Sequence, residues 1–260
     1  MDLGLKDKVA LVSGGSAGMG YAIAAELAAE GARVVIAARR EGPLQEAEGK
    51  IRAAGGTVAS VVADMTKRED VSRAVQAATD AFGVPDIAVA NVRPIHRYGL
   101  DDASDDDFRL AFDQMVLSQV YLARALIPAM QAKGWGRFIN ISSVCAKEPH
   151  RWLNVILSGT GRPALLGLNK SLSNEFAGNG ITVNSILPGL IDTGVAEDVQ
   201  NLAQDRGVPD LIEPMPRIPA QRRGTAEEIA GIAVFLCSDR AGYITGQAIA
   251  VDGGWLRGLY

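Results

Sequence analysis

The stretch Val9-Ala10-Leu11-Val12-Ser13-Gly14-Gly15-Ser16-Ala17-Gly18-Met19-Gly20 decides the fold. A short apolar run enters a glycine-rich turn, and a helical run, Tyr21 to Glu30, follows at once. Such a turn sets backbone N–H groups and the positive end of a helix dipole where a pyrophosphate can be held, provided no side chain blocks the approach. The spacing is G-x-x-x-G-x-G rather than the commoner G-x-G-x-x-G. Glycines of this kind also serve plain structural turns, but the position between strand and helix favours a nucleotide. Ser13, Gly14, Ser16, Gly18, Met19 and Gly20 are the candidate contacts.

Outward from this unit the same alternation repeats. Val34–Ala37, Val58–Val62, Ile87–Ala90, Phe138–Ile141 and Ile181–Ile186 are mainly apolar, without a polar alternation, and are separated by Ala-rich stretches of helical period. Strands without alternation belong to a parallel sheet covered by helices on both faces. The expected class is α/β, doubly wound, with residues 1–260 forming one domain. Apolar residues make up 48% of the 260, enough for a large core.

Helix starts carry their own chemistry. Ser104-Asp105-Asp106-Asp107 and Thr225-Ala226-Glu227-Glu228 each read as a capping box, with hydroxyl and acid three residues apart. The acidic run Asp101 to Asp107 is therefore first-turn charge on a helix dipole rather than an interaction tail. The least patterned stretch, 192–221, holds Pro209, Pro214, Pro216 and Pro219, and is read as a substrate lid.

Composition excludes several function classes. With 26 basic and 30 acidic residues the net charge is −4, so no basic field draws a nucleic acid. The longest run without charge, Val9 to Ala25, is short and broken by glycine, so no membrane span is expected. The N-terminal residues carry no signal-peptide pattern, and two cysteines, Cys145 and Cys237, make neither a disulfide framework nor a metal set. A cytoplasmic protein without a metal is the expectation.

The end of the second strand, where an adenosine ribose is met, reads Ala38-Arg39-Arg40. No carboxylate stands there for a 2′-hydroxyl, whereas Arg39 can fork onto a 2′-phosphate, which favours NADP(H) over NAD(H). The bland alternative is that both arginines are solvated charges at a helix entry.

With these features the chain resembles the short-chain dehydrogenase/reductase superfamily over essentially its whole length. The landmarks stand in order: Asp64-Met65 at the adenine, Asn91 from the N-N-A-G segment, Ile139-Asn140-Ile141-Ser142-Ser143, then Val183-Asn184 with Pro188, Gly189, Ile191 and Thr193, which hold the nicotinamide amide. The stretch Gly224 to Gly254 resembles the β-ketoacyl carrier-protein reductase branch. The resemblance implies a Rossmann domain with a parallel sheet of about seven strands. It also implies a carbonyl/alcohol oxidoreductase and a homotetramer, or a dimer, joined through the apolar helices 108–130 and 155–177 and the strand 247–251.

The catalytic set departs from the family. Its Asn, Ser and Tyr-x-x-x-Lys relay aligns with Met115, Ser143 and Ser158-x-x-x-Arg162, so only Ser143 is unchanged. The N-N-A-G segment is also altered, to Ala90-Asn91-Val92-Arg93. Ser158 cannot take over from a phenol unaided, and Arg162 can hold ribose hydroxyls and stabilise an alkoxide but cannot pass a proton on. His150, with an unperturbed pKa near 6.5, is the side chain best suited as acid, ahead of His96 and Tyr98. A water held by Ser143, Ser158 and Arg162 is the simplest donor. Met115, Cys145 and Trp152 are expected to line a pocket for an apolar small molecule. Three functions follow from such a site: an NADP(H)-dependent oxidoreductase acting on CH–OH/C=O, a cofactor-binding but catalytically silent subunit or sensor, and, least favoured, a non-redox enzyme on the same fold.

Overall fold

A computed structural model describes residues 2–92, 99–149, 155–194 and 218–259. Seven parallel strands form one sheet in the order β3-β2-β1-β4-β5-β6-β7. They are β1 (Val9–Ser13), β2 (Arg33–Ala38), β3 (Thr57–Val62), β4 (Ile87–Ala90), β5 (Gly136–Ile141), β6 (Ile181–Pro188) and β7 (Ala248–Val251). The helices are α1 (Gly18–Ala29), α2 (Glu41–Ala53), α3 (Arg68–Phe82), α4 (Asp105–Phe112), α5 (Ser118–Lys133), α6 (Ile156–Phe176) and α7 (Ala226–Cys237).

The doubly wound reading holds residue by residue. Successive strand side chains point to opposite faces. Val12, Val34, Ile36 and Ile139 therefore join α1, α2 and α7 in one core, while Leu11, Val35, Ala88 and Phe138 join α3 and α5 in another. Central strands β1, β4, β5 and β6 are buried along their whole length, which is why their sequences are largely apolar and do not alternate with exposed polar residues. Both capping boxes form: Ser104 and Thr225 accept from the backbone N–H of Asp107 and Glu228, whose carboxylates accept from the cap residues in return.

One boundary differs from the sequence reading. The helix expected over 108–130 is interrupted by a π-helical turn, Asp113–Leu117, between α4 and α5. This turn packs on α6: a Cβ added at Gly161 would lie 3.0 Å from both Cε and Sδ of Met115. Tertiary contact, not a proline or glycine in 113–117, accompanies the break.

Strand order reverses between β1 and β4, so a crevice opens at their carboxyl ends, where ligands of open α/β sheets bind. Among the described residues no helix is long and apolar enough to cross a membrane, and no cluster of three metal-ligating side chains occurs. Of the stretch read as a lid, 195–217 lies outside the described residues. Its two stems are tied together by Asp192 N–H donating to Gly224 O at 2.8 Å and by an Arg223–Asp192 ion pair at 3.6 Å.

Candidate active site

The glycine turn is shaped by close approach. Gly14 sits at φ +64°, where its missing Cβ would be 2.3 Å from the Asn91 carbonyl oxygen, and a Cβ on Gly20 would be 2.2 Å from the Gly14 oxygen. Ser13 fastens the turn to the end of β4: its Oγ accepts from Asn91 N–H at 2.9 Å. The N-cap of α1 is Ala17, which offers no side-chain cap, so the first N–H groups of the helix are left for a ligand at the crevice.

A cavity of about 620 Å³ runs along this carboxyl edge of the sheet. Beyond β2 and β3 it is lined by Arg39, Arg40, Asp64, Met65 and Thr66. Beyond β1 it is lined by Gly14, Ser16, Gly18 and Met19, with Thr193 opposite, and beyond β4 and β5 by Asn91, Val92, Ile141 and Ser142. Gln114 and Arg162 complete that last end from the helical side. Asp64 is held in place by its own turn, accepting from Thr66 N–H at 3.1 Å and Thr66 Oγ1 at 2.8 Å. The candidates Ser13 and Gly20 support the turn rather than line the cavity, and Pro188, Gly189 and Ile191 lead from β6 towards Thr193 without lining it.

Two buried polar atoms at the inner end have no protein partner, Ser142 Oγ and Arg162 Nε. Together with the glycine cradle, these are groups that a sugar–phosphate ligand satisfies, so the residues present fit a dinucleotide. Arg162 stands on α6 one turn after Ser158, on the same face of the helix. A buried amide network fixes that helix on the sheet: Asn140 Nδ2 donates to Asn169 Oδ1 at 2.8 Å, and Asn169 Nδ2 to Ser185 Oγ at 2.7 Å. Burial lowers the pKa of the Arg162 guanidinium, with the Cys145 sulfur opposing, yet a guanidinium keeps its proton in proteins.

The remaining candidates stand beside the cavity or outside the description. Ser143 is half-buried, its Oγ accepting from Cys145 N–H at 3.3 Å, and Ser158 is buried. Met115 differs from its expected place: it is buried against Gly161 with Ala111 and Leu157, and its neighbour Gln114 lines the cavity instead. His150, Trp152, His96 and Tyr98 lie outside the described residues. Sequence reasoning missed Gln114, Arg40, Thr66 and Ser142 as cavity residues; for the last three, their places just after strands were the available signal.

A family model described as enoyl-(acyl carrier protein) reductase matches residues 14–256. "Dehydrogenase/reductase SDR family member 4" of Oryctolagus cuniculus is 34% identical over 252 residues, covering 96% of this chain and 94% of that protein. The chain belongs to the short-chain dehydrogenase/reductase superfamily. Another member, an A-factor type gamma-butyrolactone 1′-reductase (1S-forming) of Streptomyces virginiae, is 37% identical over 261 residues, with 96% of each chain covered. The L-sorbose reductase of Gluconobacter frateurii, solved with NADPH and L-sorbose, superposes with a TM-score of 0.91 at 35% identity over 100% of both chains. The short-chain dehydrogenase/reductase match thus covers the glycine turn, the lining of the cavity and Ser143, Ser158 and Arg162 alike.

Proposed function

We propose that the protein is an NADP(H)-dependent oxidoreductase of a carbonyl/alcohol pair, with a rebuilt proton relay centred on Ser143, Ser158 and Arg162. The observation that carries the reading is the polarity of the cavity. Two arginines, Arg39 and Arg40, stand at the end where a 2′-phosphate lies, and unpartnered Ser142 Oγ and Arg162 Nε stand at the other. The L-sorbose reductase relative, solved with NADPH, supports the cofactor choice.

When bound, NADPH supplies the hydride that reduces a carbonyl carbon. The chain's residues do the rest. Ser143 donates a hydrogen bond to the carbonyl oxygen. Arg162 places a fixed positive charge where that oxygen becomes an alkoxide, stabilising it electrostatically without surrendering a proton. A water held by Ser143, Ser158 and Arg162 delivers the proton, with His150 the side chain nearest in sequence suited to replenish it. The absence of a phenol and an ammonium at 158 and 162 keeps one rival in view, a subunit that binds NADPH without turnover.

Calorimetric titration with NADPH and NADH, followed by a turnover screen over aliphatic, aromatic, sugar and thioester ketones, tests the reading. Tighter binding of NADPH with oxidation of it by at least one ketone is expected. Tight NADPH binding with no turnover in the unaltered chain or in Ser158→Tyr/Arg162→Lys supports the silent subunit. We further propose a homotetramer, supported by the half-exposed edge strand β7 and by the full exposure of nearby Tyr243; a monomer in light scattering overturns it.

A further inference from the structure

The family relay places an amide where this chain has Met115, and Met115 is turned into the packing between the π turn and α6. An amide is nevertheless present one residue earlier. Gln114 is only 5% exposed, yet it lines the cavity together with Ser142 and Arg162. The π turn carries both residues, so adjacent positions meet different surroundings: Met115 packs against α6 and Gln114 belongs to the cavity lining. Its backbone is fixed as well, because the Gln114 carbonyl accepts from Ser118 Oγ at 2.6 Å.

What this amide can do follows from what its neighbours cannot. The sheet order assigns the cavity in sequence: the Arg39 end for the phosphorylated adenosine, the glycine turn for the pyrophosphate, and the Ser142 end for the second nucleoside. The ribose of that nucleoside brings vicinal hydroxyls, each of which must donate a hydrogen bond as well as accept one. Arg162 offers donors only. An acceptor is therefore needed at this end: of the lining residues there that carry a side-chain oxygen, Asn91 has its amide against the glycine turn, which leaves Gln114 and Ser142. Ser142 is 4% exposed and its Oγ is without a partner, which marks the end as one built for a polar ligand.

We propose that Gln114 is a cofactor-binding residue, its carboxamide accepting from a hydroxyl of the ribose next to the nicotinamide while Arg162 donates to that ribose. The inference rests on the nucleotide reading of the cavity. It makes the chain a member in which the amide of the nicotinamide end has moved from position 115 to position 114, and it makes residue 114 a determinant of cofactor affinity.

Titration of Gln114→Met, which keeps the length and removes the acceptor and donors, tests this with two ligands. NADPH contains the second ribose; adenosine 2′,5′-bisphosphate contains only the other end. The expected result is about 5- to 10-fold weaker NADPH binding, the worth of one hydrogen bond, with adenosine 2′,5′-bisphosphate unchanged. Unchanged NADPH affinity overturns the proposal, and so does an equal loss for both ligands, since that reports a disturbed fold. Gln114→Leu is a second truncation read in the same way should the Met variant fail to fold. Failure of the nucleotide reading itself looks different: the unaltered chain then binds neither ligand, and the Gln114 inference falls with it.

Discussion

Replacing Gly20 by alanine tests the close backbone approach on which the cofactor turn depends. The added methyl would lie 2.2 Å from the Gly14 oxygen and 2.7 Å from both the Gly14 carbonyl carbon and Asn91 Nδ2. Two of those atoms are backbone, so the turn itself must move rather than a side chain. Overpacking of this kind costs about 1–3 kcal/mol. Alanine returns about 1 kcal/mol in helix propensity within α1, leaving a net loss of up to about 2 kcal/mol. For a chain of this size that is a fall in Tm of up to about 8 °C. On the proposed cofactor reading binding should suffer beyond stability, because the displaced Gly14 peptide and the first amides of α1 are the groups proposed to hold the pyrophosphate; a loss in NADPH affinity of about 10-fold or more is expected, equivalent to about 1.4 kcal/mol. Differential scanning fluorimetry and calorimetric titration read the two effects. Gly49→Ala in α2 is the control: nothing lies within 4 Å of its added methyl, so it should raise stability by about 0.5–1 kcal/mol and leave binding alone. A Gly20→Ala protein with the parent's Tm and NADPH affinity would refute the steric argument.

Arg39→Ala should weaken NADPH by about 1–2 kcal/mol, the lower part of the range for a charged hydrogen bond because Arg39 is exposed, and leave NADH nearly unchanged; equal losses in parallel titrations would remove the 2′-phosphate assignment. Glu228 is held down to about 2, chiefly by its hydrogen bond with Arg222 and then by Thr225 N–H. A depressed carboxylate contributes stability that is present above its ordinary pKa and lost as pH falls through about 2, so melting curves recorded across that acid range should decline more steeply for the parent than for Glu228→Gln. Burial pushes the Cys237 thiol up to about 12, whereas Cys145 is half-buried, so an alkylating reagent applied to the native protein should modify Cys145 alone, and mass spectrometry finding label on Cys237 at the same rate would contradict the packing of α7.

The sheet was legible because burial on both faces keeps the central strands largely apolar, with the few polar residues of β5 and β6, such as Asn140 and Ser185, paired inside: Val9, Ile87 and Ile181 are each the first residue of both the apolar run and the strand. Capping boxes were legible for a related reason, since a hydroxyl and an acid three residues apart have few other uses beside an apolar run. The helices containing Pro128 and Pro163 continue through both prolines. What the period could not give was the π turn. No glycine or proline lies in Asp113-Gln114-Met115-Val116-Leu117, and the extra residue in that turn matches the fit of Met115 on Gly161, a contact between segments far apart in the chain.

The same division runs through the site. Residues that reach the cavity from the ends of strands, such as Gly14, Arg39, Asp64, Asn91 and Ser142, have their place fixed by topology, because in a parallel sheet every strand delivers its carboxyl end to one edge. Residues that reach it from helices have no such rule. Arg162 was found only by matching a register, and its neighbours on α6 confirm nothing about direction until the Asn169 network fixes the helix on β5 and β6. Gln114 escaped because alignment with the family puts Met115 at the amide's position, whereas the π turn packs Met115 on Gly161 and leaves Gln114 in the cavity lining. A substituted relay is therefore poorly judged by alignment alone: a missing side chain at one position can be supplied by the next when the backbone between them gains a residue per turn.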